Sequence, residues 1–406
     1  CAIRIAGNSN AVGLVEARSA IFAIDAAGLS LLQPNGGEAL LVGDEFEIRW
    51  QRAGTAAPVT LAYTTDAEAD EPSWVTIATD VADEGSYIWT VPDAASSHCL
   101  VRVRDPAAGI DDRSDAVFSI SAPQAIRYVD DDAEAGGDGS SWASAFRHPE
   151  DALAVAEAGD QLWIAAGTYR PRGDRNHHIA MVSGVGLYGG FAGDETALDQ
   201  RDWRQQQTVL SGDIGVAGTP TDNSHQVVRL TNVEDVVIDG LVITGGYAQG
   251  AFERRSGAGI YCNNAGLRLR NCLLWDNHAD PDRSAGGTGG ALSHFGSDLE
   301  VINCVFTGNS APFGAGIALS NAPSRTIRIT GTVFSDNHAF WGGGAISCST
   351  NTSFELLSCS LVGNRADDGD QGTGGAISLG GGCTLIAGNS LFAANSAVED
   401  TPLILF

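Results

Sequence analysis

The sequence contains no lysine, so all 23 of its basic residues are arginine. This excludes Schiff-base chemistry at an ε-amine and phosphate binding by a Walker-type lysine. Positive charge is scarce altogether: 50 acidic residues give a formal net charge of −27. Nonspecific attraction to phosphate backbones or anionic lipid is therefore disfavoured, and nucleic acid is not an expected partner. There is one methionine and only 13 prolines, and no apolar run approaches the roughly 18 residues of a membrane span. What the chain has instead is glycine, 51 of 406 residues, alongside a hydrophobic content of 43%. That combination predicts repeated tight turns around a real core, not a flexible linker.

The N-terminal third reads as β-sandwich material. CAIRIAGNSNAVGLVEARSAIFAI, Cys1 to Ile24, matches CLVRVRDPAAGIDDRSDAVFSI, Cys99 to Ile120, in its Cys start and its aliphatic-Phe-x-Ile end. Residues 1–24 are thus expected to be the closing strands of a preceding module, and Cys1 a module residue, not a lipid anchor. Residues 25–122 hold short β-rich runs separated by turn signals, among them EFEIRW, VTLAYTT, GSYIWTV and CLVRVRD, which predicts an antiparallel sandwich. Cys99 has no partner inside that module and is expected to be a buried thiol. After Ser121-Ala-Pro the grammar changes. A helix is predicted over 149–158 (PEDALAVAEA), with acids in its first turn and Gly159 as its stop.

From there the sequence repeats itself. NCLLWDNHA, NCVFTGNSA, GTVFSDNHA, SCSLVGNRA and NSLFAANSA align without gaps, and their shared asparagines are Asn277, Asn309, Asn337, Asn364 and Asn395, spaced 32, 28, 27 and 31 apart. A glycine turn and an aliphatic residue precede each unit, as in GGAL ending at Leu292 and GGAI at Ile346. A period of this length marks a solenoid. One unit per coil would stack Leu274, Phe306, Phe334, Leu361 and Phe392 in one interior column and Leu269, Val301, Ile329 and Leu356 in another. The asparagines would hydrogen-bond amide to amide along the axis. Arg268, Glu300, Arg328 and Glu355 would share one outward position and alternate in sign, which is stabilising between strands about 4.8 Å apart. The fold class that follows is all-β: a right-handed, single-stranded, pectate-lyase-like parallel β-helix over residues 123–406, behind an immunoglobulin-like sandwich. About ten turns, on the order of 50 Å, are expected, with the 149–158 helix as an N-terminal cap.

YVDDDAEAGGDGSSWASAF, DALAVAEAGDQLWIAAGTYRP and GLYGGFAGDETALDQRDW, followed by the glycine and Asn repeats, resemble bacterial β-helix surface proteins of the choice-of-anchor type. The GGA[I/L] and F-x-x-N pairs are also similar to the repeats of polymorphic outer-membrane proteins. The resemblance implies export, display at the cell surface and adhesion, with no defined activity.

Chemistry is sparse by comparison. A glycosidase needs two carboxylates roughly 5–10 Å apart on one groove, and the repeat strands supply no such pair. The acid-rich stretch with Asp194, Glu195, Asp199, Arg201, Asp202 and Asp213 is the place for a site if the chain is a polysaccharide lyase or hydrolase. Asp130, Asp131, Asp132 and Asp138 share a Gly-rich turn, which makes calcium a candidate cation there; no other cofactor is expected. His278 and His338 share a phase but are separated by the coil of Ser310, too far apart for one metal. Five of the six cysteines in the rod fall on columns, Cys272, Cys304 and Cys359 on one and Cys262 and Cys348 on another, and free buried thiols are expected. Trp275, Phe340 and Trp341 are aromatics on which a sugar could stack. The expectation is a secreted or cell-surface, non-enzymatic rod that binds glycans, other surface components or copies of itself.

Overall fold

The computed structural model describes residues 28–397 except 55, 70, 122–124, 251, 281–285 and 368–371, and also the backbone of the strands Arg4–Ser9, Gly13–Arg18 and Ile404–Leu405. The chain divides into two compact units, Cys1–Ala122 and Pro123–Phe406.

In the first unit, Arg4–Ser9 and Gly13–Arg18 pair antiparallel; Cys1 lies outside the described residues. The rest is a sandwich. One sheet holds Gly28–Gln33, Glu45–Ala53 and Ser86–Thr90; the other is built on Ala39–Leu41, Phe118–Ser121, Ser96–Asp105, Val59–Thr64 and Val75–Val81. Alternation drives the packing: Cys99, Val101 and Val103 point one way along their strand and meet Ile48, Trp50 and Trp89 from the opposite sheet. Cys99 is buried with a free thiol, and burial raises its pKa.

The second unit is a parallel β-helix with four faces. One coil runs Leu267–Arg270 on the first face, Leu273–Trp275 on the second, His278–Ala279 on the third and Leu292–Phe295 on the fourth, and then returns to the first face at Leu299–Ile302. The faces contain nine, eight, six and eight strands respectively. Nine strands on the longest face replace the expected ten turns, and eight spacings of about 4.8 Å make that face about 38 Å long. The difference lies in the opening coils, where segments such as 170–178 and 192–207 contribute loops in place of strands.

The glycine turns explain how each coil closes. Gly257, Gly289, Gly314, Gly343 and Gly374 all have φ between 60° and 67°. At each, a Cβ would strike the carbonyl oxygen of the aliphatic residue three positions on, so both conformation and space demand glycine. The aliphatic residues Ile260, Leu292, Ile317, Ile346 and Ile377 then enter the core in register. Inside the second face, Leu274, Phe306, Phe334, Leu361 and Phe392 stack, with the Phe306 and Phe334 rings 4.9 Å apart and nearly parallel. Behind the narrow third face the file is Ala279, Ala311, Ala339 and Ala366.

The expected helix over 149–158 is shorter than the sequence implied: it spans Pro149–Leu153. Pro149, Ala152 and Leu153 bury against the first coil, whereas Val155 is 50% exposed. Past Leu153 there is too little apolar cover to hold so short a helix together.

Candidate functional site

The asparagines form a buried, directional file. Each Nδ2 donates to the Oδ1 of the next: Asn277 to Asn309 at 3.1 Å, and Asn309 to Asn337, Asn337 to Asn364 and Asn364 to Asn395 at 2.9 Å. Each Nδ2 also donates to a carbonyl of the preceding coil, as Asn337 does to Phe306 O at 2.9 Å, while each Oδ1 takes a backbone N–H, as Asn337 Oδ1 does from Asn309 at 3.2 Å. The amides are therefore saturated structural groups with nothing to offer a ligand. A second ladder, which the repeat spacing alone does not single out, runs along the corner between the first and second faces. Asn271, Asn303, Gly331, Ser358 and Asn389 there have φ between 49° and 58°, and Asn303 Nδ2 donates to Asn271 Oδ1 at 2.6 Å. The asparagines opening NCLLW and NCVFT are its signal in the sequence.

The charge file stands in register, Arg268 beside Glu300, Glu300 beside Arg328 and Arg328 beside Glu355. Arg328 Nε meets Glu355 at 2.9 Å. Glu300 also serves a second arginine, since its carboxylate lies 3.0 Å from the guanidinium of Arg270, which is 1% exposed.

Asp130, Asp131 and Asp132 can each bring one oxygen within 4.8 Å of the others. Asp138 stands apart from them. It accepts from Ser140 N–H and from the hydroxyls of Ser140 and Ser144 at 2.7–3.0 Å, and these bonds, the Ser140 hydroxyl foremost, hold its pKa down to about 2. Asp131 is partly committed as well, accepting Thr168 N–H at 3.1 Å.

The acid-rich stretch serves the loops. Glu195, 8% exposed, accepts Ala192 and Gly193 N–H at 2.7 and 3.0 Å. Arg201 pairs with Asp239 at 2.9 Å, and Asp213 accepts Gly218 N–H at 3.2 Å. On the third face, Ser310 lies in register between His278 and His338. His278 Nδ1 is 2.7 Å from Ser310 Oγ and its Nε2 is 2.9 Å from Asp276. These are the three groups of a serine hydrolase, but the neighbouring donors are spent: Ser310 N–H bonds Asn277 O at 3.0 Å and Asn309 N–H bonds Asn337 Oδ1 at 3.2 Å. An oxyanion would find neither of them free.

One expectation about cysteine is corrected. Cys348 and Cys383 form a disulfide with Cα atoms 6.3 Å apart. Cys348 sits on the inward file Cys262, His294, Leu319, Cys348, Leu379. Cys383 belongs to no file and approaches from the corner of the next coil, so periodicity could not place it. Cys99, Cys262, Cys272, Cys304 and Cys359 are buried free thiols.

The fourth face carries two concavities. Outward positions alternate with the inward file, which puts Arg229, Tyr261, Ser293, Ala318, Ser347 and Ser378 in one register. A hollow of about 350 Å³ lies over Ala318, Ser347 and Ser378, with Phe313 on one edge and Phe295 and Ser320 on the other. Trp341 packs edge-on against Phe313 at 5.3 Å, while Phe340 is buried and Trp275 stands on the second face. Hydroxyls rim the hollow, with Ser349 donating to Ser320 at 2.8 Å. Among the described residues no Asp or Glu lines it. The small residues of its floor follow the aliphatic residue of each glycine turn, a regularity present in the sequence but without meaning there until the outward face is known.

Further toward the N-terminus, a hollow of about 580 Å³ is lined by His178, His225, Arg229, Glu253 and Arg254 together with Asn176 and Gln226. Arg229 lies 2.7 Å from Glu253, 3.2 Å from Gln226 Oε1 and 4.9 Å above the Tyr261 ring. Burial lowers the pKa of both imidazoles, and nearby cations add to this, Arg229 at His178 and Arg175 at His225. The separation of the segments 176–178, 225–229 and 253–254 along the chain hides this site from sequence reading. Residues 219–396, which supply most of the stacked coils and all of the glycine corners described above, match the family described as "Right handed beta helix region".

The rod is a right-handed parallel β-helix. A comparison with curated proteins returns no match. Among solved structures the β-helix is similar to "Crystal structure of pectate lyase Pel9A" at 13% identity and a TM-score of 0.35, over 66% of this chain and 78% of that one. A likeness of that degree carries no argument about activity.

Proposed function

We propose that the protein is a non-enzymatic binding rod of the cell exterior, in which an immunoglobulin-like spacer precedes a β-helix that holds a glycan along its fourth face. The observation that carries the reading is the hollow over Ala318, Ser347 and Ser378, which combines aromatic edges, a floor of small residues and a hydroxyl rim with no lining carboxylate among the described residues. Aromatic faces take the apolar side of a sugar ring, and hydroxyls take its edge. Glycosidic hydrolysis calls for a pair of carboxylates, and Glu253, the sole acid lining the basic hollow among the described residues, is already paired with Arg229 at 2.7 Å. The Cys348–Cys383 disulfide supports an oxidising compartment.

The test is incubation with a panel of linear polysaccharides, followed by calorimetry and product analysis. Binding is expected without new reducing ends or unsaturated products. Phe313→Ala is expected to weaken it about tenfold, the loss of roughly one stacking contact with its buried area. Release of oligosaccharides by the purified chain would overturn the reading in favour of a lyase or hydrolase.

A further inference from the structure

We propose that the basic hollow at the N-terminal end of the fourth face is an anion subsite, which takes a carboxylate or sulfate of the glycan seated in the neighbouring hollow and does so more tightly as the medium becomes acidic. The inference deepens the glycan-binding reading and depends on it for the rest of the ligand.

Charge gives the first reason. In a chain of net charge −27, two arginines and two histidines line this hollow against a single carboxylate among the described residues, Glu253. That carboxylate is committed to Arg229 at 2.7 Å. Arg254 is exposed and has no carboxylate within ion-pair distance among the described residues. On so acidic a surface a guanidinium would ordinarily find a protein partner, and an anionic ligand supplies the missing one.

Preorganisation is the second. Gln226 is buried and donates to Ser256 O at 2.9 Å, which fixes its Oε1 to accept from Arg229 at 3.2 Å. The Tyr261 ring lies 4.9 Å beneath the same guanidinium. Arg229 is thus held flat before any ligand arrives, with Nε on the Thr231 hydroxyl at 3.2 Å and Nη2 on Glu253 at 2.7 Å. Its remaining N–H groups are preoriented toward an anion, and Arg254 supplies the charge that no protein carboxylate matches among the described residues. Continuity is the third: Arg229, Tyr261, Ser293 and Ala318 occupy consecutive strands of one register file. Three spacings, about 14 Å, separate the guanidinium strand from the floor of the sugar hollow, a reach of a few sugar units.

The pH dependence follows from what faces the imidazoles. Arg175, Arg254 and Asp174 act on His225, while Arg229 and His177 act on His178; Glu253 is the acid of the hollow itself. Burial and the arginines hold both histidines below their ordinary value, so they are neutral near pH 7. A bound anion favours their charged form, and by reciprocity acidification favours the anion.

The test uses the full chain and three probes: a hexauronate prepared from alginate, its carboxyl-reduced counterpart and a sulfated galactan oligomer. Arg254→Gln, an exposed change that leaves the fold intact by circular dichroism, is expected to weaken binding of the charged oligomers about tenfold and to leave the reduced one unchanged. Affinity for the charged oligomers should rise several-fold from pH 7.5 to pH 5.5, and the double variant His178→Gln, His225→Gln should abolish that rise. A preference for uronate over sulfate, or the reverse, identifies the anion. Equal binding of charged and reduced oligomers, or an Arg254→Gln chain that binds both as before, overturns the subsite while leaving the groove reading in place. If neither oligomer binds, the groove reading falls, and the subsite is then judged by NMR of the two imidazoles with glucuronate or sulfate alone: no shift overturns it.

Discussion

His294 shows how one residue can set a pH limit on the rod. It occupies an inward position otherwise filled by Cys262, Leu319, Cys348 and Leu379, and burial pushes its pKa down to about 4. Unfolded, it would titrate near 6.5. Between those values the unfolded chain binds the extra proton, so stability falls as pH falls through that window. The full loss is about 3 kcal/mol. Thermal unfolding at pH 7 and pH 4.5 should show a fall in Tm that His294→Leu, matching its neighbours in the file, reduces. The remainder includes the smaller contributions of His178 and His225, whose pKa values are also lowered by burial. Ser310 offers a test of the opposite kind. Its hydrogen bonds to His278 and, through it, to Asp276 look like activation, yet the flanking N–H groups are consumed by the ladder. A fluorophosphonate probe is therefore expected to leave Ser310 unlabelled by mass spectrometry.

Between single residues and the whole rod, the files behave as elements. Asn337→Ala would strip the side-chain partner from Asn309 N–H and Phe306 O at once, while Asn309 Nδ2 keeps Leu274 O and Thr307 O. At about 1–3 kcal/mol for each buried group left unsatisfied, the cost is on the order of 4 kcal/mol. Hydrogen exchange should show lost protection centred on the strands Val305–Thr307 and Val333–Ser335. The charge file divides in the same way. Glu300→Gln leaves the Arg270 guanidinium buried without its carboxylate and should cost about 3–5 kcal/mol. Glu355→Gln, whose partner Arg328 is nearer solvent, should cost no more than about 1 kcal/mol. Denaturant titrations of the two variants check that contrast. These files are also where the sequence was most readable. Gap-free units convert a linear period directly into register, so equal spacing places Asn277 over Asn309 and Arg268 over Glu300. The third face was opaque because strands as short as His278–Ala279 show no alternation. The two hollows were opaque for another reason: one needs the outward members of strands recognised by their inward ones, and the other is assembled from non-repeating loops around Asn176, His225 and Glu253.

At the scale of the molecule, two kinds of constraint hold coils together. The Cys348–Cys383 disulfide closes a sequence separation of 35 residues, which in the chain-entropy account is worth about 4 kcal/mol. Dithiothreitol should lower Tm, and the Cys348→Ser, Cys383→Ser double variant should reproduce the reduced value. The other constraint is the alternation of sign along the first face. Excising residues 303–330 would rejoin the corner at Asn271 to the corner at Gly331 with its glycine turn preserved, but Glu300 would then adjoin Glu355. Excising residues 303–357 removes Arg328 and Glu355 together and leaves Glu300 beside Ile386, with no such clash. Inside the charged file the face obeys a parity rule, so removing an adjacent pair of coils keeps it electrostatically consistent where removing one interior coil does not.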